Sequence, residues 1–240
     1  MYSQNFGHGP TQATKKLVKH QPKWERALDV LLSLTVLVLV SPLVFIVALL
    51  IKLVSHGPVI FKQERIGFGG KSFMIYKFRT MHIDARTETH KSHTTNLIKS
   101  NRPMTKMDAQ GDKRIIPFGS LLRALAIDEL PQLFNVLNGE MSIVGPRPCL
   151  PSEFEEYSET DKKRTETLPG LTGFWQVSGK NQLTFEQMID YDIQYVLRKN
   201  CPLYIYIVLK TPLVLIQQLA ELRKSPNDIT AIPNSPPPLI

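Results

Sequence analysis

Apolar and polar positions are spread very unevenly along this chain. Residues 30–51 form a run of 22 without a charge, 17 of them Val, Leu, Ile or Phe. At roughly −0.3 to −0.6 kcal/mol per such residue, the run favours bilayer insertion by about 5–10 kcal/mol before its polar members are subtracted. Its length matches the roughly 20 residues a helix needs to cross the hydrocarbon core. A buried core helix is the poorer reading, because the run is apolar all round. A signal peptide is also poorer, since no small-residue cleavage pattern follows. Ser41-Pro42 falls near the midpoint, where a proline removes a backbone hydrogen bond and kinks or breaks a helix. Both flanks are basic: Lys15, Lys16, Lys19, Lys23 and Arg26 precede the run, and Lys52, Lys62, Arg65, Lys71, Lys77 and Arg79 follow it. Short basic flanks mark the cytoplasmic side, so both ends are expected there. A helix that enters one leaflet, bends at Ser41-Pro42 and returns satisfies both flanks, whereas a straight span satisfies one. Patterning alone leaves that choice open.

Beyond the run, residues 58–61 and 72–78 read as short strands flanking a glycine-rich turn, Arg65-Ile66-Gly67-Phe68-Gly69-Gly70. A plain hairpin accounts for that turn more simply than a phosphate cradle. Residues 82–113 are polar and poorly periodic. His82, His90 and His93 have no cysteine or carboxylate pattern of the kind a zinc site takes. Leu121, Leu122 and Leu125 suggest a short helix. Asp128 follows as an expected N-cap, with Glu129 and Pro131 in the first turn. Leu130, Leu133, Phe134 and Leu137 form an apolar stripe, and Asn138-Gly139 supplies a stop. Gly145-Pro146-Arg147-Pro148 is a stiff turn presenting one guanidinium. Thr184 and Gln187 make a capping box for a helix whose buried side is expected to be Phe185, Ile189, Ile193, Val196 and Leu197. Residues 202–220 are apolar but interrupted by Lys210-Thr211-Pro212, which suggests an interfacial helix pair. The expected fold is α+β, mostly α with a small amount of β. Its expected parts are a basic tail (1–22), a membrane anchor (23–54), a compact catalytic domain (55–222) and a disordered Pro-rich tail (223–240).

Composition sharpens this picture. Hydrophobic residues make up 42% of the 240, which excludes wholesale disorder. The 29 Lys and Arg exceed the 21 Asp and Glu, giving a formal +8 and pointing to a polyanionic partner: nucleic acid, an anionic membrane face or phosphorylated substrates. The two cysteines, Cys149 and Cys201, exclude a disulfide scaffold. An Asp cap followed by Glu needs no function by itself. In a basic, membrane-dipped chain, however, one carboxylate could attack phosphorus while the other helps hold a hard divalent cation such as Mg²⁺. Arg123 and Arg147 bracket the pair and could take phosphate oxygens in bidentate fashion.

The stretch Asp128-Glu129-Leu130-Pro131-Gln132-Leu133-Phe134-Asn135-Val136-Leu137, followed by Gly139-Glu140-Met141-Ser142-Ile143-Val144-Gly145-Pro146-Arg147-Pro148, closely resembles the bacterial sugar transferases. These are the monotopic phosphoglycosyl transferases that load a sugar phosphate onto polyprenyl (undecaprenyl) phosphate. Phe61-x-Gln63-x-Arg65-x-Gly67, Tyr76-Lys77-Phe78-Arg79-Thr80-Met81 and Pro169-Gly170-Leu171-Thr172-Gly173-Phe174-Trp175-Gln176-Val177-Ser178-Gly179 match as well. The resemblance runs from about Arg26 to Thr211.

The resemblance implies a two-step exchange at the cytoplasmic face of the bacterial inner membrane. Asp128 would attack the β-phosphate of a UDP-sugar and release UMP; polyprenyl phosphate would then take the phosphosugar from the carboxylate, initiating an exopolysaccharide, capsule, O-antigen or related glycan. It also implies Mg²⁺ at Asp128 and Glu129, substrate contacts at Lys77, Arg79, Arg123 and Arg147, and nucleotide contacts at Pro146-Arg147-Pro148. Ser41-Pro42 matches the break of a re-entrant helix, whose entrance matches Arg26 and Asp29. The chain departs from the pattern at Glu25, where many members carry a base, at Leu168, where Lys or Arg is frequent, and at Tyr204, often Asp. Its polar insertion around 84–112 is longer than in minimal members. Two other classes compete. A catalytically silent membrane scaffold is opposed by the intact Asp128-Glu129 pair. A nucleic-acid binder is opposed by charge gathered around a membrane segment without a nucleic-acid module, so no nucleic-acid partner is expected. The sugar, the pathway and homo-oligomerisation are left open.

Overall fold

The computed structural model describes residues 21–82, 114–179 and 183–222. The expected tail up to residue 20, the insertion around 84–112 and the Pro-rich tail from 223 lie outside the described residues.

A single helix, α1 (Lys23–Val54), carries the whole apolar run. It continues through Ser41-Pro42 instead of breaking there. The reason is local: Pro42 cannot donate to the Val38 carbonyl four residues back, and the Ser41 hydroxyl donates to that carbonyl instead, at 2.9 Å. Both ends of α1 rest on the same folded body. Trp24, Leu28 and Leu32 pack on a core that includes Leu133, Val136, Met141 and Tyr204. Val47 and Ile51 pack against Phe78, Ile116 and Leu122. Between these contacts Val38, Leu39 and Phe45 are bare, 72–73% exposed.

The first turns of α1 are locked by buried polar groups. Asp29 Oδ1 accepts from the Ile143 amide (2.8 Å), the Ser142 hydroxyl (3.0 Å) and the Tyr204 hydroxyl (2.7 Å), and Gln21 Nε2 donates to Oδ2. Glu25 pairs with Lys199 at 2.7 Å, and Arg26 donates to the carbonyls of Val136 and Leu137, both at 2.6 Å. Two departures from the family pattern thus find partners: Glu25 meets a lysine from the far end of the chain, and Tyr204 brings a hydroxyl to Asp29.

Strands β1 (Ile60–Ile66) and β2 (Ser72–Phe78) form an antiparallel hairpin with Phe61 opposite Lys77. β1 runs further than its apolar start suggested, and Arg65 and Ile66 belong to the strand. After α2 (Gly119–Ala124) comes one 3₁₀ turn, Ile127–Glu129, then α3 (Gln132–Leu137). A second sheet pairs β3 (Ser142–Val144) in parallel with β4 (Gly170–Thr172). The connection between them carries α4 (Pro151–Glu155) and a 3₁₀ segment, Asp161–Glu166. The short α5 (Phe174–Val177), then α6 (Phe185–Arg198) and α7 (Cys201–Leu222), complete the described chain. The fold is mixed and mostly helical, with little strand.

Four local expectations are corrected. Asp128 is not a helix N-cap: Ala126 adopts a left-handed conformation (φ 55°), and Asp128 sits inside the 3₁₀ turn, with Pro131 preceding α3. On α3 the inward side is Gln132, Leu133, Asn135 and Val136, whereas Phe134 is 52% exposed. The apolar stripe is displaced because Asn135 turns inward: its amide donates to Met74 O and Glu140 Oε2, both at 2.7 Å, and accepts from the Tyr76 amide at 3.1 Å. That side chain fastens α3 to the edge of β2. The capping box at Thr184 forms as read, and α6 buries Phe185 and Ile189 as expected, but Met188, Tyr191, Asp192 and Tyr195 are buried with them while Leu197 is exposed. The residues expected to be an interfacial helix pair form one helix, α7. At its Lys210-Thr211-Pro212 interruption, the Thr211 hydroxyl donates to Ile207 O and meets Thr172 Oγ1 on β4, both at 2.8 Å.

Asn135→Leu keeps the volume but strips Met74 O and the Tyr76 amide of their partner. The expected loss is about 2–4 kcal/mol in denaturant unfolding of the detergent-solubilised protein, since each unsatisfied buried group costs roughly 1–3 kcal/mol.

Candidate active site

The two sheets and α3 meet at a polar cleft lined by Arg65, Ile75, Lys77, Glu129, Gln132, Arg147, Pro148, Gly170, Leu171 and Gln176. Each functional side chain arrives by a separate route. Lys77 projects from β2 and meets Glu129, from the 3₁₀ turn, at 2.7 Å, with both groups partly open to solvent. Asp128 is half-buried on that turn, one residue away. Arg147 comes from the turn after β3. Its guanidinium lies 3.8 Å from the buried Glu153 carboxylate, a loose pair that leaves donors for a ligand.

Arg65 is almost wholly buried. Its Nε and Nη2 donate to Gln63 Oε1 (3.2 and 2.8 Å), and Nη1 donates to Pro148 O (3.1 Å). Burial, and then the nearby Arg147, push its pKa down to about 10, so it stays cationic at neutral pH. The i, i+2 spacing of Gln63 and Arg65 places both on one face of β1, which gives that motif its physical meaning.

The Arg147 turn is set by close backbone contact. A Cβ on Gly170 would fall 2.0 Å from the Gly145 amide nitrogen, and one on Gly145 would fall 2.4 Å from Leu168 O. Only glycine lets these segments touch, and the contact delivers the Gly170 amide to Pro146 O at 2.8 Å.

The expected site residues divide accordingly. Lys77, Glu129, Arg147 and Pro148 line the cleft. Pro146 is buried beneath the turn, outside the cleft wall, with its carbonyl accepting from the Gly170 amide. Arg123 is half-buried at the end of α2, outside the cleft wall. Arg79 is placed elsewhere: its Nη1 and Nη2 donate to the carbonyls of His56 and Ser55, both at 2.7 Å, and it is buried where α1 ends. It satisfies orphan carbonyls at a helix C-terminus rather than facing the cleft. Ser41 and Pro42 are exposed on α1, between Val36 and Leu37, which pack on one core, and Val44, which packs on the other. Sequence reasoning missed Arg65, Gln132 and Gln176 as wall residues; the Gln63-x-Arg65 motif was the available signal for the first.

Cys149 is buried, and burial pushes its thiol up, so it is protonated and unsuited to nucleophilic attack. Among the described residues no group of three or more His, Cys, Asp or Glu could hold a metal. Asp128 and Glu129 still fit Mg²⁺ of one kind, because this ion is usually held by one or two carboxylates with substrate phosphates and water supplying the rest.

A model of the bacterial sugar transferase family matches residues 20–218. The chain belongs to the bacterial sugar transferase family. This sugar transferase is 37% identical over 187 residues to the exopolysaccharide production protein ExoY of Sinorhizobium fredii, covering 78% of the present chain and 83% of the relative. It is 36% identical over 197 residues to an undecaprenyl-phosphate galactose phosphotransferase of Salmonella typhimurium (81% and 40% of the two chains). It is 34% identical over 195 residues to a UDP-glucose:undecaprenyl-phosphate glucose-1-phosphate transferase of Escherichia coli (78% and 38%). The sugar transferase thus spans most of its ExoY relative and less than half of the two larger phosphotransferases.

Gly170→Ala in this transferase is expected to force β3 and β4 apart. The overpacking should cost about 1–3 kcal/mol or more, read as a lowered unfolding midpoint in a denaturant or thermal melt.

Proposed function

We propose that this chain transfers a sugar 1-phosphate from a UDP-sugar to polyprenyl phosphate, in two steps, at a membrane surface. The observation that carries the reading is the convergence of Arg65, Lys77 and Arg147 with Glu129 in one cleft, on a chain of this family that also carries an anchor-length apolar helix. In the first step an Asp128 carboxylate oxygen attacks the β-phosphorus of the UDP-sugar. The bond from that phosphorus to the bridging oxygen breaks, and UMP departs with the electron pair. In the second, an oxygen of polyprenyl phosphate attacks the same phosphorus, giving polyprenyl-diphosphate-sugar and regenerating the carboxylate. Arg147 and Arg65 bind and orient the diphosphate, and Lys77 holds Glu129 in place. Mg²⁺ held by Asp128 and Glu129 would neutralise diphosphate charge.

The acceptor keeps its tail in the leaflet and its phosphate at the headgroup plane, so the cleft is read as lying at that plane on the cytoplasmic face. Re-entry would require α1 to bend at Ser41-Pro42 while remaining one helix; its packing supports this, because Trp24, Leu28 and Leu32 and, further on, Val47 and Ile51 rest on one body with Val38, Leu39 and Phe45 bare between them. Both flanks are basic, which favours docking on anionic phospholipid. The name of the ExoY relative points to exopolysaccharide production, and the transfer is read as the step that initiates such a glycan.

Membranes containing the protein should move radiolabel from a UDP-sugar into organic-extractable lipid, release UMP rather than UDP, and lose activity with EDTA. Asp128→Asn should reduce transfer at least 10³-fold, on the order expected for removing a covalent nucleophile; full activity in that variant would end the covalent mechanism. Cysteines introduced at positions 24 and 62 should both react with an impermeant maleimide only from the cytoplasmic side. Labelling from opposite sides would make α1 a full crossing.

A further inference from the structure

Arg164 belongs to none of the matched motifs and lines no part of the cleft, yet it is a buried guanidinium with three partners. Nη1 donates to the Tyr157 hydroxyl at 2.7 Å. Nη2 donates to the Arg147 carbonyl at 3.0 Å and to Asp192 Oδ2. Arg164 and Asp192 are both essentially sealed from solvent, 2% and 0% exposed. A buried ion pair is weak evidence for stability, because desolvation offsets the attraction. A specific geometric task is the better explanation, and the geometry supplies one.

The turn that presents Arg147 has its consecutive carbonyls gripped from different elements. Pro146 O accepts from the Gly170 amide, Arg147 O from Arg164, Pro148 O from Arg65 and Cys149 O from the Ile66 amide. Of these, the grip on Arg147 itself is the one supplied by a side chain outside the cleft. We propose that the Arg164–Asp192 pair is a positioning device for Arg147, fixing the backbone from which its guanidinium reaches the diphosphate of the uridine nucleotide. Arg164 touches no substrate and acts only through Arg147. Asp192, on α6, orients the Arg164 fork and balances its charge, which explains an acidic residue on the buried side of that helix. Lysine cannot replace the device: it carries the charge on a single point and cannot serve three separately placed acceptors. This inference rests on the proposed function, in which Arg147 binds the nucleotide.

The test uses the full chain in detergent, with UMP as the calorimetric probe. Arg164→Lys is expected to weaken UMP about tenfold and to raise KM for the UDP-sugar similarly, with kcat and the KM for polyprenyl phosphate changed less than about twofold. A merely structural role would lower all of these together. The deciding readout is a double-mutant cycle: in an Arg147→Ala background, Arg164→Lys should weaken UMP no further. Equal weakening with and without Arg147, or no weakening at all, overturns the positioning role while leaving the proposed function intact. Should Arg164→Lys fail to fold, Asp192→Asn keeps the guanidinium and carries the same cycle, with the same expected and overturning outcomes. Wild-type protein that releases no UMP from any UDP-sugar would overturn the proposed function, and this inference with it.

Discussion

The rest of the structure depends on the burial of one carboxylate at the start of the long apolar helix α1. Asp29 is sealed from solvent, and Oδ1 alone accepts from the Ile143 amide and the hydroxyls of Ser142 and Tyr204. Each hydrogen bond to a charged group contributes roughly 1.5–3 kcal/mol, whereas removing the carboxylate from water costs several. The net stabilisation is therefore small, and the arrangement chiefly fixes geometry. Asp29 tolerates no other placement of β3 relative to α1, because a displaced β3 would leave the charge buried without donors. β3 leads directly into Gly145-Pro146-Arg147, so α1 and the cleft form one mechanical unit.

That unit explains why glycine recurs around the cleft. β3 and β4 are only three residues each, too short to define the Arg147 turn through their ladder alone. Backbone contact at Gly145 and Gly170 and the guanidinium grips on successive carbonyls supply the missing definition. Arg65 and Arg164 have that work in common although they come from a strand and a 3₁₀ segment far apart in the chain. On the proposed reading, a turn with little freedom is what a diphosphate needs, because ordering an arginine only on binding would weaken the complex.

Much of this was legible in the residues, for physical reasons. The apolar run, the hairpin and the capping box at Thr184 are local signals that tertiary packing had little reason to override. Errors fell where a polar side chain faces inward. Asn135 turned the buried side of α3 away from its apolar stripe, and Asp192 joined Phe185 and Ile189 on the buried side of α6, because a distant partner, the edge of β2 or Arg164, rewards the polar contact. Periodicity cannot register such a partner. Arg79 was misplaced for a related reason: a motif arginine says that a guanidinium matters, not whether it meets a ligand or a helix end. Pro42 signalled an interruption in α1 that the neighbouring Ser41 hydroxyl repairs, and Pro212 lies within a continuous α7.

The charge of the cleft bears on why the proposed transfer would proceed in two steps. Arg65, Lys77 and Arg147 contribute three positive charges; Glu129, paired with Lys77, and Glu153, beside Arg147, return two negative ones. A phosphate monoester carries about −1.5 to −2 at neutral pH, and a UDP-sugar diphosphate roughly as much. Binding both at once would set about four negative charges against side chains whose net charge, with Asp128 included, is near zero, and near +2 with the proposed Mg²⁺, in surroundings where burial strengthens every repulsion. Passing the phosphosugar through a carboxylate lets UMP leave before the lipid phosphate arrives, so the cleft balances one polyanion at a time. Asp128 stands one residue from the Lys77–Glu129 pair, on the 3₁₀ turn that leads into α3, and on the proposed reading it is the carboxylate that carries the phosphosugar between the two steps.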